Sequence, residues 1–143
     1  MKYIDLYETG KVSKICYGTL SLSKLQNSNS LEYNTELLNY AFSKNINFFD
    51  TAELYDNYNL LGNFLKNKKR EDIYIATKSY AYDKKTADYS IQKSLKEMNT
   101  EYIDIFMLHE LDNENNFLGH YKAVERLLEY KEQGIIKHFG IST

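Results

Sequence analysis

Three short apolar runs, at 46–49, 73–77 and 103–108, each end at or just before a polar residue and lead into a segment whose apolar positions repeat at helical spacing. Strand, polar tip, loop and helix in that order is the unit of a parallel α/β sheet. Two earlier runs, 4–7 and 12–18, flank the turn Glu8-Thr9-Gly10-Lys11 and predict a hairpin leading into a first core strand at 15–18. Helices are predicted around Leu37, Leu38, Ala41 and Phe42, and around Leu60, Leu61, Phe64 and Leu65. Another lies under Ala87, Ile91, Leu95 and Met98, and a fourth, about 120 to 133, is expected to bury Ala123, Val124, Leu127 and Leu128. Asn45, Asn99 and Gly134 follow three of these helices, where a residue that accepts the left-handed conformation closes the last turn. The second strand ends at Asp50, the third (72–77) at Lys78, the fourth (102–108) at His109, and a fifth (136–141) runs into Ser142-Thr143. The fourth is almost wholly apolar, as befits a strand covered on both faces, so its exception, Asp104, requires a partner. The fold class is α/β, in a single domain spanning residues 1–143.

Composition adds little to that picture and removes several function classes. With 143 residues, 43% of them hydrophobic, the chain can build one core. A net charge of −2 argues against nucleic acid as a partner, and the basic run from Lys66 to Arg70 reads as a solvated corner between helix and strand. Cys16 is the single cysteine, so no internal disulfide forms; it is expected to be a buried small hydrophobe in a protein of the reducing cytoplasm. No stretch approaches the roughly 20 apolar residues of a membrane span, and the N-terminus lacks a signal-like apolar region, so a soluble, cytoplasmic protein is expected. The spacing of His109, His120 and His138 fits no common zinc pattern, and the last two are expected on the surface or in loops.

Right-handed crossovers place sequential strands side by side about 4.8 Å apart, so Asp50, Lys78 and His109 fall within reach of one small ligand. Tyr55, five residues beyond Asp50, lies on a loop that can fold over the rim. If these tips face inward, alternation turns Phe48, Tyr74, Ala76, Ile105 and Met107 inward as well. The chemistry of the set is specific. A cation near a phenol of pKa about 10 lowers that value, so Lys78 is expected to make Tyr55 a better proton donor, with Asp50 holding the ammonium. His109 can orient a carbonyl oxygen, and a carbonyl that receives a hydride becomes an alkoxide that must be protonated. Taken singly each residue has a plainer reading: Asp50 as a turn cap, Lys78 as a surface lysine, Tyr55 as one of 14 tyrosines. A barrel hydrolase using Asp50, Lys78 and His109 for another reaction also stays open. Glu53 and Asp104 are expected to be structural, pairing with backbone amides or a cation.

The segment Asn47-Phe48-Phe49-Asp50-Thr51-Ala52-Glu53-Leu54-Tyr55 closely resembles the signature after strand two of the aldo-keto reductases. Val12-Ser13, Gly18-Thr19, Ala76-Thr77-Lys78, Ser94-Leu95, Tyr102-Ile103-Asp104, Leu108-His109-Glu110, Gly134-Ile135-Ile136 and Gly140-Ile141-Ser142 are similar to further family landmarks, in order. The resemblance implies a (β/α)8 TIM barrel that uses NADPH, less often NADH, to reduce an aldehyde or ketone. It implies Tyr55 as general acid, Lys78 and Asp50 as its tuning groups and His109 as the substrate-positioning residue. Asp50, Ser142 and Thr143 would lie at the nicotinamide end, with Thr143 standing where the family usually has asparagine. A barrel of this kind takes about 250 residues, and the five strands here match its first part, so a partial barrel is expected. In the family the later strands carry most of the cofactor site, and no Gly-x-Gly-x-x-Gly replaces them. The expectation is therefore a truncated reductase or a non-catalytic half-barrel remnant or binding module. A barrel completed by a second copy ranks lower, because two copies bring ten strands where eight close. Association that covers the open sheet, and a small-molecule carbonyl substrate, complete the picture.

Overall fold

A computed structural model describes residues 1–7 and 9–143. Five of its strands form one parallel sheet in chain order: β3 (Cys16–Gly18), β4 (Phe48–Asp50), β5 (Tyr74–Ser79), β6 (Ile103–Leu108) and β7 (Ile136–Ile141). Between them run α1 (Leu31–Ser43), α2 (Tyr58–Leu65), α3 (Lys84–Met98), a short α4 (Glu114–Gly119) and α5 (Tyr121–Glu132). This is the five-stranded part of a barrel sheet, with helices packed on its outer side. Phe49, Ile75, Phe106 and Leu108 on that side are 0% exposed and meet Leu61, Phe64 and Ile91 of the helices. Each such side chain contributes about 1.5–3 kcal/mol by leaving water.

Local chemistry accounts for the element ends. Ser30 caps α1 by accepting from the Tyr33 N–H at 3.1 Å, and Asp83 accepts from Thr86 N–H at 2.7 Å in a capping box that starts α3. Asn45 (φ 66°), Asn99 (φ 52°) and Gly134 (φ 75°) adopt the left-handed conformation where helices give way to strands. At the opposite end of the sheet from the rim, β1 (Tyr3–Leu6) and β2 (Gly10–Ser13) form the antiparallel hairpin. Asn47 ties it down, accepting from Ser13 N–H at 2.7 Å and donating to the Lys11 carbonyl at 2.9 Å. Gly10 passes so close beneath Tyr74 that a Cβ there would stand 2.1 Å from the phenol oxygen.

Several expectations change. Gly10 and Lys11 belong to β2 rather than to the turn, Glu8 of that turn lies outside the described residues, and residues 12–18 split into two strands. The second strand starts two residues later than its apolar run and the third one residue later, and α4 has no counterpart among the predicted elements. Leu128 is 43% exposed, because the buried stripe of α5 continues from Leu127 to Tyr130 and leaves Leu128 to one side. The run from Lys66 to Arg70 is not simply solvated: Lys68 donates to the Phe64 carbonyl, and Arg70 pairs with Asp104 at 2.6 Å while stacking on Tyr102. Cys16 is exposed, since it aligns with Phe48 on the inward face, which the helices do not cover. His138 is part of β7 and bonds with Thr9, and His120, between α4 and α5, bonds with the Ala81 carbonyl at 2.7 Å. No helix among the described residues is long and apolar enough to cross a membrane.

Candidate active site

Register puts the polar tips on one side of the sheet. Gly18, Asp50, Ala76, Ile105 and His138 align across all five strands, and Lys78, Met107 and Gly140 align one layer nearer the strand ends. Asp50 closes β4, Lys78 is the penultimate residue of β5, and His109 follows β6 directly. Phe48, Tyr74, Ile105 and Met107 share this inward side and are half-buried.

Lys78 is 7% exposed, and its ammonium donates to Asp50 Oδ1 at 2.6 Å and to the Thr51 carbonyl at 2.8 Å. The same Nζ lies 5.5 Å from the centre of the Tyr55 ring. That ring meets the imidazole of His109 edge-on, with centroids 6.1 Å apart and planes at 75°. The four expected residues therefore converge. Tyr55 ends a 3-10 turn (Glu53–Tyr55) within the loop from β4 to α2, and the turn is anchored by buried Ala52 and by Glu53, which accepts from Ser90 of α3 at 2.5 Å.

Electrostatics departs from expectation at Tyr55. Its phenol is pushed above the ordinary value by partial burial first, then by the carboxylates of Asp50 and Glu110. Lys78 does not lower it, because that ammonium is committed to Asp50 and to the Thr51 carbonyl. His109 is held below the ordinary histidine value, by burial first and then by the Lys78 charge, so the imidazole is neutral at pH 7. Its Nδ1 is buried without a partner among the described residues. An orphaned lone pair is less unfavourable than an orphaned N–H, which puts the proton on Nε2, the nitrogen free to donate.

Ser142 is half-buried and tied by its backbone, its N–H to the Leu108 carbonyl and its carbonyl to Leu111 N–H, both at 2.8 Å; Thr143 is exposed beside it. Other supporting residues escaped the sequence reading. Asn57, 5% exposed, accepts from the Thr51 hydroxyl at 2.7 Å and donates to the carbonyl and hydroxyl of Thr19 at 2.9 and 3.1 Å. This network fixes the segment carrying Tyr55. Tyr80 stacks on His109 at 4.8 Å and donates to Glu110. Nothing in the periodicity marks these contacts, which join residues from different strand ends.

Among known proteins, the chain is 33% identical over 147 residues to "Probable aldo-keto reductase 1" of Glycine max, an alignment covering 92% of this chain and 42% of the relative. It is 33% identical over 95 residues to methylglyoxal reductase DkgA of Escherichia coli, covering 64% of this chain and 34% of that one. The fold matches the holo form of aldo-keto reductase AKR11C1 from Bacillus halodurans with a TM-score of 0.82 at 27% identity, over 99% of this chain and 50% of that one. The chain thus spans half or less of the length of these relatives. A family profile described as "Aldo/keto reductase family" matches residues 14–143, from just before β3 to the C-terminus, and includes every residue of the rim. Profile, relatives and fold agree: this chain belongs to the aldo/keto reductase family.

Proposed function

We propose that the chain serves an NADPH-dependent reduction of an aldehyde or ketone to the alcohol, with Tyr55 as general acid. The observation that carries this reading is the pair of buried Lys78 with half-buried Asp50, 2.6 Å apart, beneath a tyrosine that a neutral histidine meets edge-on. Nε2–H of His109 donates to the carbonyl oxygen, orienting it and stabilising the charge that grows there. Tyr55 gives its proton to that oxygen as the carbonyl carbon gains a hydride. An alkoxide is a far stronger base than a phenolate, so a phenol with a raised pKa still transfers its proton downhill. Asp50 keeps the Lys78 ammonium in place, 5.5 Å from the centre of the Tyr55 ring.

The residues here fit the nicotinamide end of the cofactor. Nothing lies within 4 Å of where a Cβ on Gly18 would stand, next to Asp50 in the sheet, so the rim is open at that point. Asp50, Ser142 and Thr143 would hold the carboxamide there. When bound, the cofactor supplies the hydride. The chain has no glycine-rich phosphate loop, and only this end of the cofactor is assigned to it.

Methylglyoxal is the first substrate to try, since the Escherichia coli relative is named for its reduction. The test is carbonyl-dependent NADPH oxidation: turnover that requires both partners supports the reading, and hydrolytic activity without nicotinamide would replace it. One observation favours a second reading, a non-catalytic binding module, namely the half-buried apolar inward face of Phe48, Tyr74, Ile105 and Met107. Fluorescence titration separates the two. Saturable NADPH binding by the chain supports the enzyme; no binding supports the module.

A further inference from the structure

His109 lacks the usual restraint on an active-site histidine. A functional imidazole is commonly oriented by a hydrogen bond from the nitrogen it does not use, yet Nδ1 of His109 is buried with no partner among the described residues. Its main chain is fixed, with the N–H donating to the Ser79 carbonyl at 2.9 Å, but that leaves the ring free to rotate about its own bond. What lies flat against the ring is Tyr80, the residue just past β5, at 4.8 Å and 28°. Tyr80 is itself 42% exposed, so packing alone does not confine it. Its hydroxyl donates to the carboxylate of Glu110, the residue after His109. Glu110 adopts φ 56°, an uncommon conformation for a residue with a Cβ, at the point where its side chain meets Tyr80.

We propose that Tyr80 and Glu110 form a positioning clamp, in which the hydroxyl–carboxylate bond holds the Tyr80 ring over His109 and thereby fixes the imidazole toward Tyr55. Neither residue touches the reacting atoms; both act through His109, and the catalytic value of the clamp rests on the function proposed above. The charged and titratable groups facing the imidazole are Lys78 and Asp50 from the neighbouring strands, Tyr55 from the 3-10 turn, and Tyr80 and Glu110 themselves.

The clamp is tested without substrate or cofactor, so the result stands whether or not the chain reduces carbonyls. In full-length protein with labelled histidine, the His109 ring signals are identified by their loss in His109→Gln, and folding of every variant is checked by circular dichroism. Tyr80→Phe and Glu110→Ala should both lose the ring-current shift of the His109 protons, and Tyr80→Phe, which keeps the Glu110 carboxylate, should let the imidazole pKa rise toward the ordinary histidine value. Loss of the Glu110 charge alone would move that pKa the other way, since this carboxylate favours the imidazolium. Glu110→Gln keeps an acceptor for the Tyr80 hydroxyl and should restore the wild-type ring shift. Wild-type ring shifts in Tyr80→Phe and Glu110→Ala, or a Glu110→Gln variant indistinguishable from Glu110→Ala, would overturn the clamp. In a turnover assay the broken clamp should lower kcat about tenfold and leave KM nearly unchanged.

Discussion

Replacing Asp104 with alanine should destabilise the protein by about 3 kcal/mol. Asp104 is 2% exposed, and one carboxylate oxygen accepts both from Arg70, at 2.6 Å, and from the Ile75 N–H of the neighbouring strand, at 2.9 Å. The bond to Ile75 links β5, which carries Lys78, to β6, which leads into His109. Breaking a buried ion pair by removing one partner typically costs about 3–5 kcal/mol, including about 1–3 kcal/mol for a stranded buried donor such as Ile75 N–H. The value falls at the low end because Arg70 keeps other acceptors, Thr100 Oγ1 at 3.0 Å and the carbonyls of Ile73 and Tyr102 at 2.5 and 3.2 Å. Urea unfolding measures the loss, and in a domain of this size it corresponds to a fall in Tm of about 6–12 °C. A companion variant, Asp104→Asn, isolates the charge. Burial, outweighing Arg70, raises the folded-state pKa of Asp104, so folded protein holds that proton more tightly than unfolded chain does. Wild type should therefore gain stability relative to Asp104→Asn as pH falls from the raised value toward the ordinary 3.8, and lose that gain as pH rises again. A loss below about 1 kcal/mol in Asp104→Ala, or no pH-dependent difference for Asp104→Asn, would refute this account.

Further outcomes follow from other contacts. A Cβ on Gly62 would stand 2.4 Å from the Glu97 carbonyl oxygen, so Gly62→Ala should force α2 away from α3 and cost about 1–3 kcal/mol by thermal unfolding. Asn57→Ala strands the buried Thr51 hydroxyl and should cost about 2 kcal/mol in urea, together with a roughly tenfold fall in kcat as Tyr55 loses its position. Asp50 is one of the carboxylates that raise the Tyr55 pKa, and a general acid works only while protonated. Activity should thus be lost on the alkaline side as pH rises through that pKa, and Asp50→Asn should shift this limb to lower pH; a limb that stays in place or moves upward contradicts the assignment.

The strand tips were legible because the sheet obeys strong local rules. Apolar runs ending in Asp50, Lys78 and His109, with Asn45, Asn99 and Gly134 at helix ends, fix the order of elements without tertiary information. Contacts between distant elements were not legible. Arg70 reads in the sequence as part of a surface run, yet its guanidinium reaches Asp104, 34 residues away. Cys16 looked like core because strand periodicity does not reveal whether the second face of a sheet is covered. The tuning of Tyr55 failed for a related reason: the residue types suggested a lysine acting on a phenol, whereas the geometry commits that lysine to Asp50 and leaves the phenol under the influence of burial and two carboxylates.

The central claim concerns the Tyr55 hydroxyl, and Tyr55→Phe removes that one oxygen while keeping the ring. Carbonyl-dependent NADPH oxidation by wild type and variant is the most direct measurement. The account predicts that turnover is abolished in Tyr55→Phe with circular dichroism and unfolding unchanged; equal turnover in the two proteins would contradict it.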